Sequence, residues 1–234
     1  MSGQTLLAPE GVELLDDPGA DPVEVRLSLG NIVRANRWFG GWWAVRSGLR
    51  RVLHGTPAGT DLTLLDIGAG AGDLARRAVR WSATRGIRLR PIGLERNPTA
   101  AAIARQAALP MVLGCCGALP IRSRSVDLVL VSQVAHHLAP ESVVSLLREC
   151  DRIARVGVVI ADLRRSTVAE VAFWLGARAL RFDPATKADG LTSIRRGFSA
   201  ATLGALIRAA GVAAEVRHSA GYRLVATWRP EVTA

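Results

Sequence analysis

Lysine is all but missing from this 234-residue chain. Lys187 stands alone, so nearly all of the net charge of +10 is carried by arginine. Arginine without lysine in an alanine-rich chain points to a coding bias toward GC-rich codons. The arginines are also spread out, with no dense basic run to mark a nucleic-acid tract. Cysteine is scarce too: Cys115, Cys116 and Cys150 are odd in number, and the first two are adjacent. That pattern supports neither a disulfide framework nor a CxxC zinc site, so no metal is expected and the setting is read as reduced and cytoplasmic. No apolar run approaches the roughly 18 uninterrupted residues of a membrane helix. The N-terminus lacks the basic-then-apolar order of a secretion signal. No fixed-period repeat is found.

What is present suffices for a generous core. Hydrophobic residues make up 49% of the chain, enough for one globular domain or a domain with a small cap. Residues 1–25 are acidic and rich in Pro and Gly, which reads as a loose arm. From 26 to 51 every charge is positive, and apolar residues recur at helical spacing, broken by Gly40 and Gly41. These are expected to be two or three short helices, with Trp38, Trp42 and Trp43 either packed on the core or lining a pocket as a lid. Residues 1–58 are therefore set apart from a core of 59–234.

The core alternates. Strands are expected at 62–67, 88–94, 111–113, 126–131 and 156–162. Helices are expected at 72–84, 98–108, 139–152, 167–182 and 200–210, with 183–197 as a polar loop. The run 126–131 is almost wholly β-branched or leucine, as suits a strand buried on both faces. Two last strands, 212–217 and 222–228, lie so close in sequence that they must pair antiparallel. The fold class is α/β: a doubly wound, mostly parallel seven-stranded sheet ending in an antiparallel hairpin.

The informative stretch is LLDIGAGAGD at 64–73, an apolar strand ending in an acid, then alternating glycines, then a second acid opening a helix. In doubly wound sheets ligands bind at this rim. The dinucleotide fingerprint fails, because Asp73 stands where a small residue is required. Asp66 and Asp73 would also repel a pyrophosphate from the helix end. No lysine follows the glycines, which excludes a phosphate-binding P-loop. Two acids suit a cationic ligand without phosphate, and S-adenosylmethionine has that chemistry. Glu95, at the end of the second strand in GLERNP, is placed to accept both hydroxyls of a ribose.

With these motifs in order, the chain resembles the class I S-adenosylmethionine-dependent methyltransferases, in particular the small-molecule branch similar to ubiquinone and menaquinone methyltransferases. The match runs over about 62–155 and takes in GCCGALP at 114–120, SVDLVLVSQVAHHL, and RIARVGVVIADL. The resemblance implies a Rossmann-like core under an N-terminal helical lid. It also implies that Asp66, Gly68, Ala69, Gly70 and Gly72 hold the methionine part, Asp66 through its amino group, and that Glu95 and Arg96 lie at the ribose. Cys115, Cys116, Gly117 and Ser132 would border the adenine side. Cys115 holds the place where the family has an acid bonded to the adenine amine, and a thiol is a weak acceptor.

Methyl transfer from a sulfonium needs alignment and exclusion of water, and a base only for a protonated acceptor. His136 and His137 follow the fourth strand on the same rim and are the candidate catalytic residues, His137 with a structural role as its alternative. Asp162, Arg164 and Arg195 are candidates to grip an anionic acceptor. The acceptor is expected to be small, aromatic or polyketide-like, and bound partly by the insertion at about 166–198. RNA or protein methylation, and a non-methylating binder or cyclase, stand as alternatives. The chain is expected to be a monomer or a homodimer.

Overall fold

Among the described residues, seven strands and eight α-helices follow the alternation written in the apolar pattern. The computed structural model describes residues 13–231 apart from Pro18 and Ala118; the first part of the expected loose arm lies outside them. Two helices come first, α1 (Pro22–Trp38) and α2 (Gly41–Val52). The sheet is built by β1 (Asp61–Ile67), β2 (Arg88–Glu95), β3 (Met111–Leu113), β4 (Val126–Ser132), β5 (Ala154–Leu163), β6 (Glu215–Ser219) and β7 (Arg223–Trp228). The remaining helices are α3 (Asp73–Ala83), α4 (Pro98–Gln106), α5 (Pro140–Ile153), α6 (Thr167–Ala179), α7 (Pro184–Arg196) and α8 (Ala200–Ala210). Strand order is β3-β2-β1-β4-β5-β7-β6. β1 through β5 run parallel, and β7 pairs antiparallel with both β5 and β6.

The central strands are apolar because both faces are covered. On one side Leu146, Leu147 and Ile153 of α5 and Leu203 and Ile207 of α8 pack beneath the sheet. On the other, Leu49 of α2 and Leu74 and Ala78 of α3 fill the layer. The α2 helix lies so close to β5 that a Cβ on Gly48 would come within 2.4 Å of Val159. That helix is therefore a structural layer of the core. Trp42 packs against the same cluster instead of capping a ligand.

Two expectations are corrected here. The stretch 183–197 is a helix, α7, and not a polar loop. Asp183 caps it by accepting from Thr186 N, and Pro184 sits at its first turn, both strong start signals that the polar composition obscured. The end of the arm is also not loose: Leu14–Asp16 forms a 3-10 turn, and Glu13 is buried. Helices α1, α6 and α7 close over the rim, held by a triangle of Phe39, Phe173 and Phe182 with ring centroids 5.4 to 6.4 Å apart.

Candidate functional site

The glycine turn between β1 and α3 exposes its backbone. Gly68, Gly70 and Gly72 all have positive φ, and a Cβ at Gly68 would stand 2.3 Å from Val134. Gly68 N and Ala69 N donate to Leu94 O, which fixes the turn to β2. Glu95 accepts from Gly70 N at 2.9 Å through Oε2, and from Arg96 N and Asn97 N through Oε1. A carboxylate has about four acceptor positions, so Glu95 is oriented without being saturated.

Asp66 lies one residue before the end of β1 and is buried. Burial first, then the charges of Asp73 and Glu95, push its carboxyl well above the usual range. Asp73 is raised as well, by burial that outweighs its bond from Asn36 and the charges of Arg77 and Arg76. The Asp66 carboxylate, buried beside the charges of Asp73 and Glu95, is disfavoured until a cation arrives. An ammonium and a sulfonium satisfy that requirement; a phosphate would aggravate it. The donor set fits S-adenosylmethionine: Asp66 for the amino group, the glycine backbone for the methionine part, Glu95 for the ribose.

The adenine side is plainer. Cys115 and Gly117 are exposed, and Cys116 is half-buried against the core, its thiol raised mainly by burial. Ser132 is buried at the end of β4 and its hydroxyl has no partner among the described residues. Arg96 donates to Asp16 at 2.7 Å and to Leu15 O at 3.2 Å.

On the acceptor side the two histidines adjoin, their ring centroids 4.1 Å apart. His136 is 4% exposed, and its Nδ1 lies 2.6 Å from Oδ1 of Asp162. Asp162 also accepts from Ala135 N and Leu163 N. Burial alone would raise this carboxyl; the His136 charge and bond and the Leu163 amide overcome it and hold it below the usual range. His136 Nε2 is buried with no hydrogen-bond partner among the described residues. His137 places Nδ1 3.0 Å from Asp16 Oδ2 and Nε2 3.8 Å from Glu13 Oε2. Burial pulls its pKa down, but the bond to Asp16 and the charges of Glu13, Asp16 and Asp162 leave it raised. Arg196 bonds Glu13 Oε1 at 3.0 Å and Asp16 Oδ2 at 3.3 Å, and Ser193 Oγ donates to Glu13 Oε2.

Several expected acceptor residues sit elsewhere. Asp162 has no exposed surface and serves His136, so it is not free to grip an acceptor. Arg164 lies over the Tyr222 ring and reaches His218. Arg195 points outward to Glu170; its neighbour Arg196 is the one turned inward, because helical spacing sends successive residues to different faces. Trp38 is 60% exposed beside Arg37. Unexpected members are Glu13, Asp16 and a buried chain beneath the lid. In that chain Asn36 donates to Asp73, Gln133 donates to Asn36 Oδ1 at 2.7 Å, and Arg223 donates to Gln133 Oε1 at 2.8 Å. Burial lowers the Arg223 pKa to about 10.

Comparison with known proteins agrees with this geometry. Residues 65–161 match the family described as "Methyltransferase domain". No curated protein matches the chain in sequence. A SAM-dependent methyltransferase from Aquifex aeolicus superposes with a TM-score of 0.60 at 15% identity, over 88% of this chain and 97% of that one. An O-methyltransferase family 2 protein from Planctomyces limnophilus, in complex with apigenin, gives 0.63 at 15%, over 92% and 64%. Human N-acetylserotonin methyltransferase in complex with SAM gives 0.62 at 14%, over 91% and 57%, so this chain spans little more than half of that protein. The matched domain lies on the acid-flanked glycine turn, so residues 65–161 carry a methyltransferase domain whose donor set fits S-adenosylmethionine.

Proposed function

We propose that the methyl group goes to an oxygen or carbon of a small aromatic or polyketide-like acceptor, held on the rim under α1, α6 and α7, as in secondary metabolism. The observation that carries this reading is His136. Its Nδ1–H is committed to a buried carboxylate, which leaves the Nε2 lone pair enclosed, without a partner among the described residues, and on the cofactor's rim. Such a nitrogen assists the loss of a hydroxyl proton as the oxygen attacks the methyl carbon. The sulfonium supplies the leaving group, so the protein's remaining work is alignment and exclusion of water. One structural relative is an O-methyltransferase family 2 protein in complex with apigenin, and another is N-acetylserotonin methyltransferase. A labelled-methyl screen over phenols, quinones and bulk RNA tests it: transfer to a small acceptor, suppressed in His136→Ala with cofactor affinity retained, is expected. Undiminished transfer in that variant would remove His136 from the chemistry.

RNA methylation has one observation in its favour. Arg46, Arg50, Arg51, His54 and Arg229 gather with Trp43 in one groove. However, Arg229 follows β7, whose Trp228 pairs with Val158 midway along β5, and His54 precedes the start of β1, whereas the histidine site adjoins Asp162 near the end of β5. The groove thus lies at the far end of the sheet from the methyl donor, which favours the small acceptor.

A further inference from the structure

Both histidines at the acceptor rim are wired alike. His136 gives Nδ1 to Asp162 at 2.6 Å and His137 gives Nδ1 to Asp16 at 3.0 Å. In each case the carboxylate fixes the tautomer whose lone pair is on Nε2. His136 Nε2 is buried and has no hydrogen-bond partner among the described residues, and His137 Nε2 faces Glu13 Oε2 at 3.8 Å. Glu13 is itself clamped: Arg196 takes Oε1 and Ser193 donates to Oε2. The potential ligand atoms of Glu13, His136 and His137 all lie within 4.8 Å of one another.

We propose that Glu13, His136 and His137 form a three-ligand site for one divalent first-row transition-metal cation, and that the acceptor oxygen takes an open position on it. This rests on the small-acceptor reading above, and with the cation bound the His136 Nε2 lone pair serves as a ligand in place of acting as the base.

The chemistry of the set favours this ion class. Two imidazoles and one carboxylate suit Zn²⁺, Fe²⁺, Mn²⁺ or Co²⁺, whereas Mg²⁺ and Ca²⁺ prefer all-oxygen shells. Metal-bound histidines almost always donate their other ring N–H to a carboxylate or carbonyl, and here both do so to carboxylates. The local charge asks for a cation as well. Glu13, Asp16, Asp162 and Asp189 crowd the site, with Arg96 and Arg196 as the guanidiniums beside them. Ligand atoms around a cation at about 2.1 Å stand about 3 to 3.5 Å apart. Closing the set requires an inward shift of about an ångström, within reach of the Glu13 side chain on its short turn. Glu13 comes from a segment that carries no sequence signal for metal binding. The chain would therefore complete its site only when the arm is docked.

With the cation in place, the acceptor hydroxyl would bind at the open position and release its proton to bulk water. The resulting oxyanion would then attack the methyl carbon. The new O–C bond forms as the S–C bond breaks, and that electron pair stays on sulfur to give S-adenosylhomocysteine. No oxidant or reductant is needed.

The test uses the full chain, stripped with a chelator and dialysed, then titrated with Zn²⁺, Co²⁺ and Mg²⁺ in the absence of cofactor and acceptor. Expected are one equivalent of Zn²⁺ or Co²⁺ bound, a visible Co²⁺ spectrum of nitrogen–oxygen coordination, and no saturable Mg²⁺ binding. Glu13→Gln, at a buried position, and His137→Gln, at a half-buried one, should each weaken Zn²⁺ binding at least tenfold while the far-ultraviolet spectrum stays unchanged. Absence of saturable binding, or Zn²⁺ affinity unaltered by both variants, overturns the site. If the stripped chain methylates a small acceptor at full rate and His136→Ala still silences it, the metal inference falls and the small-acceptor reading stands. If Zn²⁺ binds as expected and only RNA is methylated, the site stands and that reading falls.

Discussion

His136 Nδ1 and Asp162 Oδ1 lie 2.6 Å apart in a space closed to solvent, with Ala135 N and Leu163 N donating to the same carboxylate. Asparagine at 162 has one acceptor oxygen for three donors and presents an amide N–H to one of them. The imidazole is then driven to the tautomer with its proton on Nε2, where the lone pair is wanted. Asp162→Asn should cut turnover by roughly a hundredfold or more, and lower stability by about 1–3 kcal/mol for the donor left unpaired. Steady-state kinetics beside calorimetry with S-adenosylhomocysteine decides it: unaltered turnover would make Asp162 a purely structural anchor.

Cofactor affinity should rise with pH. In the free protein the Asp66 carboxyl is held well above the usual range by burial and by Asp73 and Glu95. A raised carboxyl contributes stability that is present below its unfolded value near 3.8 and lost as pH rises through its folded value. The cofactor ammonium reverses the preference, so binding expels a proton wherever Asp66 is still protonated. The thermal stabilisation given by S-adenosylhomocysteine should grow from about pH 4 upward until Asp66 is ionised in the free protein. In Asp66→Asn this growth should vanish and affinity should fall. A pH-independent shift in the unsubstituted protein would show that Asp66 does not meet the ammonium.

The chain Asp73–Asn36–Gln133–Arg223 ties the first helix to the cofactor turn and to β7. Asn36→Ala leaves Asp73 without its donor and Gln133 without its acceptor, both inside the protein. A loss of about 1–3 kcal/mol is expected, together with weaker cofactor binding, because Asp73 opens the helix that follows the glycines. Trp38→Ala, two residues on and exposed, should change stability by no more than about 0.5 kcal/mol. Chemical denaturation of the two variants separates them; equal effects would mean that the network carries no weight.

Part of this was legible in the residues alone. LLDIGAGAGD and Glu95 carry their own chemistry: acids where a phosphate binder needs none, and glycines at positive φ. The unbroken run at β4 announced a strand with no wet face. The acceptor side was less legible, because its charges come from segments far apart in sequence. Glu13 meets Arg196 and Ser193, and Asp16 meets Arg96 and His137; no local pattern ties such positions. Arg195 and Arg196 could not be ranked while 183–197 was read as a loop, since only a helix decides which of two neighbours faces inward. Trp42 was ambiguous for a related reason: a helix that lies on the sheet and one that lies over a ligand share the same apolar spacing.

The arginine-rich groove gives the last prediction. Arginines dispersed along the sequence converge around Trp43, with Arg229 donating to Val52 O and His54 O. An arginine cluster beside an exposed tryptophan retains polyanions through phosphate contacts, and such binding falls steeply with salt. Bulk RNA should be retained at low salt and released well below about 0.2 M. Arg46→Glu with Arg50→Glu should abolish retention while methyl transfer to a small acceptor continues at an unchanged rate, because the groove and the histidine site lie at opposite ends of the sheet. Retention and transfer are read on the same preparation. Labelled methyl appearing in RNA, and lost in the double variant, would assign the groove to the substrate and replace the small acceptor with a nucleic acid.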